Sequence, residues 1–196
     1  MHAMKYKHIW FILLGAATVC LVMNHPIKAR GTESAPYQVV RADGKFELRD
    51  YPAMMVVESA RGTNADSNFR RLFRFISGGN QAQQTIAMTT PVLMSGNKTN
   101  ETMAFVMPAN LKKNQVPHPT DSGLVVKEMA AGRFAVFSFR GGRNAQNEAA
   151  ALIQLKAWMK LQNLDEPSPP LYGYFNAPWI PGFFRHNEVM IRVGSP

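Results

Sequence analysis

The sequence predicts an α+β fold: a distorted eight-stranded antiparallel β-barrel built from two β-β-α-β-β pseudo-repeats, with two flanking helices. Three observations carry this. Short apolar-rich stretches suited to strands, the first with clear period-two alternation, recur eight times. Apolar residues at helical spacing recur twice, and the second half of the chain repeats the element order of the first. Eight strands can close into a small barrel without exposed edges, and helices then cover its apolar outer faces.

In the first half, after Pro36, Phe46 and Leu48 alternate with Glu47 and Arg49 as a half-buried strand. Tyr51-Pro52 breaks it, and Met54 to Val57 form the next. Gly62 and Asn64 loosen the chain, and Asp66 or Ser67 can cap a helix by accepting a backbone N–H. Phe69, Leu72, Phe73 and Ile76 fall at i, i+3, i+4 and i+7. This spacing predicts a helix near 67–77 that packs those four residues on the sheet, leaves Arg71 exposed and stops at Gly78-Gly79. Strands follow around Ile86–Met94 and Met103–Met107.

The second half has strands near 124–129 and 133–139, then a helix near 144–163 with Leu152, Leu155 and Met159 on one face. Strands near 171–175 and 188–193 complete it. Val57 and Gly62 match Val136 and Gly141 at an offset of 79; Glu101, Met103 and Val106 match Glu188, Met190 and Val193 at 87.

The chain has 196 residues, enough for one domain, here bounded at 35–194. Its 46% hydrophobic content excludes a disordered chain, and the body lacks the long apolar runs of a polytopic membrane protein. Cys20 is the only cysteine, which excludes an intrachain disulfide and a cysteine-based metal cluster. Of the net charge of +9, residues 1–30 supply four cations and no acid. The remainder is only mildly basic, with no nucleic-acid footprint. Lys5, Lys7 and His8 precede an apolar run from Ile9 to Met23 that spans roughly 22 Å as a helix, short of a bilayer core of about 30 Å. Residues 1–30 therefore read as an export signal or an N-terminal anchor in the inner membrane, which places the body in the periplasm or another extracytoplasmic compartment.

Enzyme motifs are absent: there is no G-x-S-x-G, H-E-x-x-H, Walker loop or G-x-G-x-x-G. His118 is boxed by prolines in a loop, and His186 sits where a loop enters the last strand. No histidine pair has metal-site spacing. Trp179, Phe183 and Phe184 lie in a loop braced by Pro178 and Pro181, which makes them walls for a flat apolar ligand or a lid on the barrel.

Four ordered segments are recognisable: Phe46-Glu47-Leu48-Arg49-Asp50-Tyr51-Pro52, Ile86-Ala87-Met88-Thr89-Thr90-Pro91-Val92, Phe105-Val106-Met107-Pro108, and the run from Pro178 to Val189. On these, the stretch from Tyr37 to Val193 resembles the SOUL (heme-binding protein) family. The resemblance implies the same two-repeat barrel. It also implies binding of heme or another tetrapyrrole in an apolar cleft beside the first helix, without catalysis. The family's proposed iron-ligating histidine corresponds to Asp50 here, and a basic group on the first helix corresponds to Arg74. A second basic position, before the last strand, holds Ile180. The resulting site is Phe69, Arg70, Phe73, Arg74, Met88, Trp179 and Phe183, with His186 as the remaining imidazole candidate for iron and packing in place of strong axial ligation. Two other readings compete with this binding module. One is an enzyme acting on a lipophilic molecule, with Glu188 as general base beside Tyr172 or Tyr174. The other is a membrane-surface protein that uses residues 9–23 and the Phe183-Phe184 loop.

Overall fold

The computed structural model describes residues 32–59, 65–95, 101–165 and 168–194, so the expected export segment and Gly62 and Asn64 lie outside the described residues. In chain order the elements are β1 (Glu33–Ser34), β2 (Gln38–Asp43), β3 (Phe46–Tyr51), β4 (Met54–Ser59), α1 (Ala65–Ile76), β5 (Thr89–Thr90), β6 (Val92–Ser95) and β7 (Thr102–Val106). Then come β8 (Leu124–Met129), β9 (Gly132–Arg140), α2 (Ala145–Leu161), β10 (Leu171–Tyr174) and β11 (His186–Arg192). Nine strands form one antiparallel sheet in the order β2-β3-β9-β11-β10-β6-β7-β4-β8. The remaining two, β1 and β5, form a two-residue parallel pair.

The ladder corrects the expected closed barrel of eight strands. β2 and β8 are unpaired edges, so the sheet is open. The extra strand, β2, has one half-buried residue, Val39, among exposed neighbours, and so carries little apolar alternation to betray it.

The connections nevertheless force a tight curl. β3 and β4 are joined by Pro52-Ala53 alone, yet they stand second and eighth of nine strands. Six strand spacings in a flat sheet measure about 29 Å, while the three Cα steps from Tyr51 to Met54 reach at most about 11 Å. β8 and β9, ninth and third, are joined by Ala130-Ala131 under the same constraint. The sheet must therefore bend until its two ends approach. One face consequently packs on itself: Tyr51 and Phe134 from one end join Met54, Val56 and Val106 from the other in a buried cluster. Both helices lie on the opposite face, α1 over Val57, Phe105 and Met94, and α2 over Ala135, Phe137 and Ile191. Met94 and Tyr172, opposite each other on β6 and β10, show that these two clusters share that face.

The expected internal two-fold is written in the strand order. With β2 set aside, exchanging β3 with β8, β4 with β9, β6 with β10 and β7 with β11 reads the sheet backwards. The pair Leu93–Ala104 becomes Leu171–Met190, and Val57–Phe105 becomes Ala135–Ile191, at offsets of 78 and 86. The sequence matches at 79 and 87 are each one residue out of step. A one-residue slip in a strand exchanges the two faces, and Val57 indeed faces α1 while Val136 faces the inner cluster.

Helix α1 is rotated from its expected setting. Leu72, Phe75 and Ile76 are buried with Asn68, whereas Phe69 and Phe73 are 37% and 50% exposed. The three buried apolar residues span about 100° of the wheel, and Phe69 and Phe73 flank them on one side. Arg71, expected in solvent, is half-buried and bidentate to Asp121 in the loop before β8. Its guanidinium bond, helped by the Gly123 N–H, holds the Asp121 carboxyl at about 2. Asp66 and Ser67 lie within the first turn, since the helix begins at Ala65. The helix ends as expected, Gly78 taking φ +102° while the Gly79 N–H donates to the Arg74 carbonyl. On α2, Asn144 caps the first turn by accepting the Asn147 N–H at 2.8 Å, and Leu155, Trp158 and Met159 are buried.

These burials reverse the expected ranking on α1. Phe75→Ala should cost about 3–5 kcal/mol, Phe73→Ala and Arg71→Ala each no more than about 1 kcal/mol. Urea unfolding of the three variants checks this; equal losses for Phe73 and Phe75 would refute the rotated face.

Candidate functional site

On the outer face, the apolar width of α1 exceeds what the sheet covers. The surplus is the pair Phe69 and Phe73, stacked at 6.0 Å and 13°, with Phe69 edge-on to Phe105 at 5.5 Å. Around the helix, Arg70 and Arg74 come next, both exposed and in no ion pair among the described residues. Residues four apart on a helix lie one above the other. An apolar column and a cationic column thus run side by side, from the sheet outward. Met88 packs on the cluster beneath α1.

From Phe69 a continuous row crosses the face between the helices. Phe105, Val92 and Tyr174 are in register on β7, β6 and β10. The Tyr174 hydroxyl donates to Glu148 of α2 at 2.6 Å. Burial and the Glu148 carboxylate push that phenol well above its ordinary range. Arg143 lies over the Tyr174 ring and pairs with Glu101 and Glu148. Trp179 and Phe183 stand on the β10–β11 loop, and no ring contact joins them to Phe69 or Phe73 among the described residues. Phe183 instead packs on Phe184 at 4.4 Å.

The inner face carries a charge network invisible to the alternation pattern. Arg49 and Glu188 are fully buried and bidentate, Nη1 to Oε2 at 2.8 Å and Nη2 to Oε1 at 2.9 Å. Arg49 also donates to Glu47 and to the Tyr51 hydroxyl, and its guanidinium lies 4.1 Å from the Tyr37 ring centre. His186 Nε2 reaches Glu188 Oε1 at 2.9 Å. Burial alone would push the Glu188 carboxyl up, but the His186 bond and the Arg49 charge outweigh it and hold it below its ordinary value. A general base needs an available carboxylate near its substrate. Glu188 is committed on both oxygens, and Tyr172 and Tyr174 face the other side of the sheet, so the predicted Glu188–tyrosine constellation is not assembled.

Two of the candidate iron donors are committed to other partners. Asp50 is bidentate to Arg133 at 2.7 and 2.8 Å, which draws its carboxyl below the usual range. The Nε2 of His186 is spoken for by Glu188, and His118 is exposed on its loop. No group of three His, Cys, Asp or Glu side chains able to hold a metal occurs among the described residues. The exposed rings and guanidiniums of α1 suit the plane and carboxylates of a porphyrin.

A curled tandem-repeat antiparallel sheet bearing two helices on one face, with aromatic and cationic columns on the first, defines the class of α+β domain. Residues 32–192 match the SOUL heme-binding protein family, and the chain belongs to that family. Human heme-binding protein 2 is 28% identical over 177 residues, covering 83% of this chain and 85% of the human one. The fold alone extends further. The C-terminal domain of EcmrR superposes with a TM-score of 0.57 at 12% identity, covering 82% of this chain and 99% of that one. A hydrolase from Listeria innocua gives 0.59 at 9%, covering 79% and 94%.

The inner network makes a stability prediction. Glu188→Gln leaves the buried Arg49 with Glu47 as its remaining carboxylate and should cost about 3 kcal/mol, whereas Arg49→Met with Glu188→Leu should recover most of that. Because Glu188 is held below its ordinary 4.5, its contribution is complete above about pH 4.5 and is lost as pH falls through the lower folded value. The stability gap between wild type and Glu188→Gln should therefore shrink on acidification from pH 5 to 3, as urea titrations at each pH would report. A gap that widens over that range would contradict the assignment.

Proposed function

We propose that this is an exported, non-catalytic binding protein for heme or a related tetrapyrrole, held on the outer face of α1. The observation that carries the reading is the exposed Phe69–Phe73 stack beside Arg70 and Arg74. A flat macrocycle can lie on the phenylalanine rings while its carboxylates turn outward to the guanidiniums, and Met88 supplies soft apolar contact beneath. Membership of a heme-binding family and the human relative's name support the same ligand class. Trp179 and Phe183 fall outside this minimal set. Export rests on Lys5, Lys7 and the apolar run Ile9–Met23, and favours a periplasmic or other extracytoplasmic location, with retention of the run as an inner-membrane anchor the variant form.

Packing in place of axial ligation has a direct consequence. Iron-free protoporphyrin should bind about as tightly as hemin, followed by absorption and fluorescence titration. Arg70→Ala with Arg74→Ala should weaken both roughly tenfold or more, since each desolvated charge-assisted bond is worth about 1.5–3 kcal/mol. Phe69→Ala with Phe73→Ala should weaken both similarly, while Arg71→Ala leaves binding unchanged. If His186→Ala alone abolishes a low-spin spectrum and protoporphyrin binds far more weakly than hemin, the packing account fails.

A further inference from the structure

Three aromatic side chains on one loop belong neither to the core nor to α1. Trp179, Phe183 and Phe184 are 80%, 67% and 64% exposed. Single exposed apolar residues, such as Ile153 on α2, need no explanation, but a cluster of large ones does. The loop that presents them is stiff. Pro178 and Pro181 fix their own φ angles, and the Arg185 guanidinium donates to the carbonyls of Pro178 and Ile180. The Gly141 N–H donates to the Gly182 carbonyl and Arg140 to that of Phe183. Rings held this way pay little further ordering entropy on contact.

The loop's position in the fold supplies the second observation. The chain enters through β1, whose Glu33 and Ser34 pair with Thr89 and Thr90. Pro91 follows and packs on Gly173, 3.2 Å from where a Cβ would stand. Gly173 and Tyr174 end β10 and lead into the aromatic loop. Chain entry and loop thus emerge from the same end of the sheet. Upstream, the nine residues from Asn24 to Thr32 separate that entry from the apolar run Ile9–Met23, a reach of at most about 30 Å.

We propose that this loop docks on a lipid bilayer, seating Trp179, Phe183 and Phe184 in the interfacial zone. The bilayer is favoured over a protein groove because the one apolar segment of bilayer-like character in the chain joins the fold at this same end. Any membrane the segment engages is therefore presented to the loop. Trp suits that zone, its ring apolar and its N–H able to meet headgroups, and shallow insertion is of the order of 5–10 Å. The inference is independent of the tetrapyrrole reading.

The test uses the full chain with Cys20→Ser, spin-labelled at Phe183→Cys or, as control, Ile153→Cys, on vesicles of phosphatidylcholine and phosphatidylglycerol at 3:1. At position 183, the label should become several-fold more accessible to oxygen than to a water-soluble nickel relaxant, while the label at 153 stays aqueous. Trp179→Ser with Phe184→Ser should return position 183 to water with an unchanged circular dichroism spectrum. Equal aqueous accessibility at both positions would overturn the proposal. So would a concentration-dependent dimer, seen by sedimentation, that buries position 183 without vesicles. A loss of hemin binding in Trp179→Ser without any lipid immersion would overturn it too, assigning the loop to the ligand instead.

Discussion

Two links of two residues each set the shape of this protein. Pro52 and Ala53 must carry the chain from the second strand of the sheet to the eighth, and Ala130-Ala131 from the ninth to the third. A flat sheet cannot satisfy either link, so the sheet curls, and the curl decides which side chains are inside. Residues that a half-solvated sheet would leave in water, Arg49 and Glu188 among them, are sealed on the concave face. The helices are confined to the convex face, where the strand alternation aims Val57, Phe105, Phe137 and Ile191.

The two halves share a backbone plan but have diverged inside the curl. By the offsets of 78 and 86, Lys127 stands at the counterpart of Arg49 and Thr102 at that of Glu188. Met129 replaces Tyr51. Where the end of the sheet holding β3 and β11 fills this space with a bidentate ion pair and a tyrosine, the end holding β7 and β8 leaves a hollow of about 290 Å³ whose walls include Val56, Leu93, Ala104, Lys127 and Met129. Lys127 turns to Glu58 at the surface, 2.7 Å away. A buried pair is weak evidence for stability, since apolar replacements of similar volume often do as well. Its firmer consequence is positional: it ties β3 to β11 and fixes His186 at the mouth of the last strand.

The element order and the duplicated plan were legible because eight apolar stretches of strand length and two runs at helical spacing stand out in the sequence. What was not legible depends on tertiary context. β2 is an edge strand whose residues face water, so hydrophobicity does not mark it. The buried face of α1 was ambiguous because five apolar residues, Phe69, Leu72, Phe73, Phe75 and Ile76, span more of the helix than one sheet contact covers. Arg49 sits at a position that alternation reads as solvent, and only the curl reverses that reading. The two-residue links that force the curl were present in the sequence, and they were the signal that could have found it. The aromatic and cationic residues of α1 were picked out by type and by resemblance; their side-by-side columns emerged only from the helix's rotation.

That rotation separates the tasks of the two faces. Core demand on α1 is met by Leu72, Phe75 and Ile76, so Phe69 and Phe73 are surplus to packing and cost solvent exposure of large rings. Stacking on each other and on Phe105 recovers part of that cost and keeps the rings in place. Beside them, Arg70 and Arg74 form no ion pair among the described residues, although the Arg74 charge, like the Arg71 bond, helps to lower the Asp121 carboxyl. Arg71 is thus neutralised by a bidentate carboxylate where it supports the fold, while the exposed Arg70 and Arg74 keep donors that an anionic apolar molecule could use. The inner face, with its committed carboxylates and its covered cation, holds the shape against which that outer surface is presented.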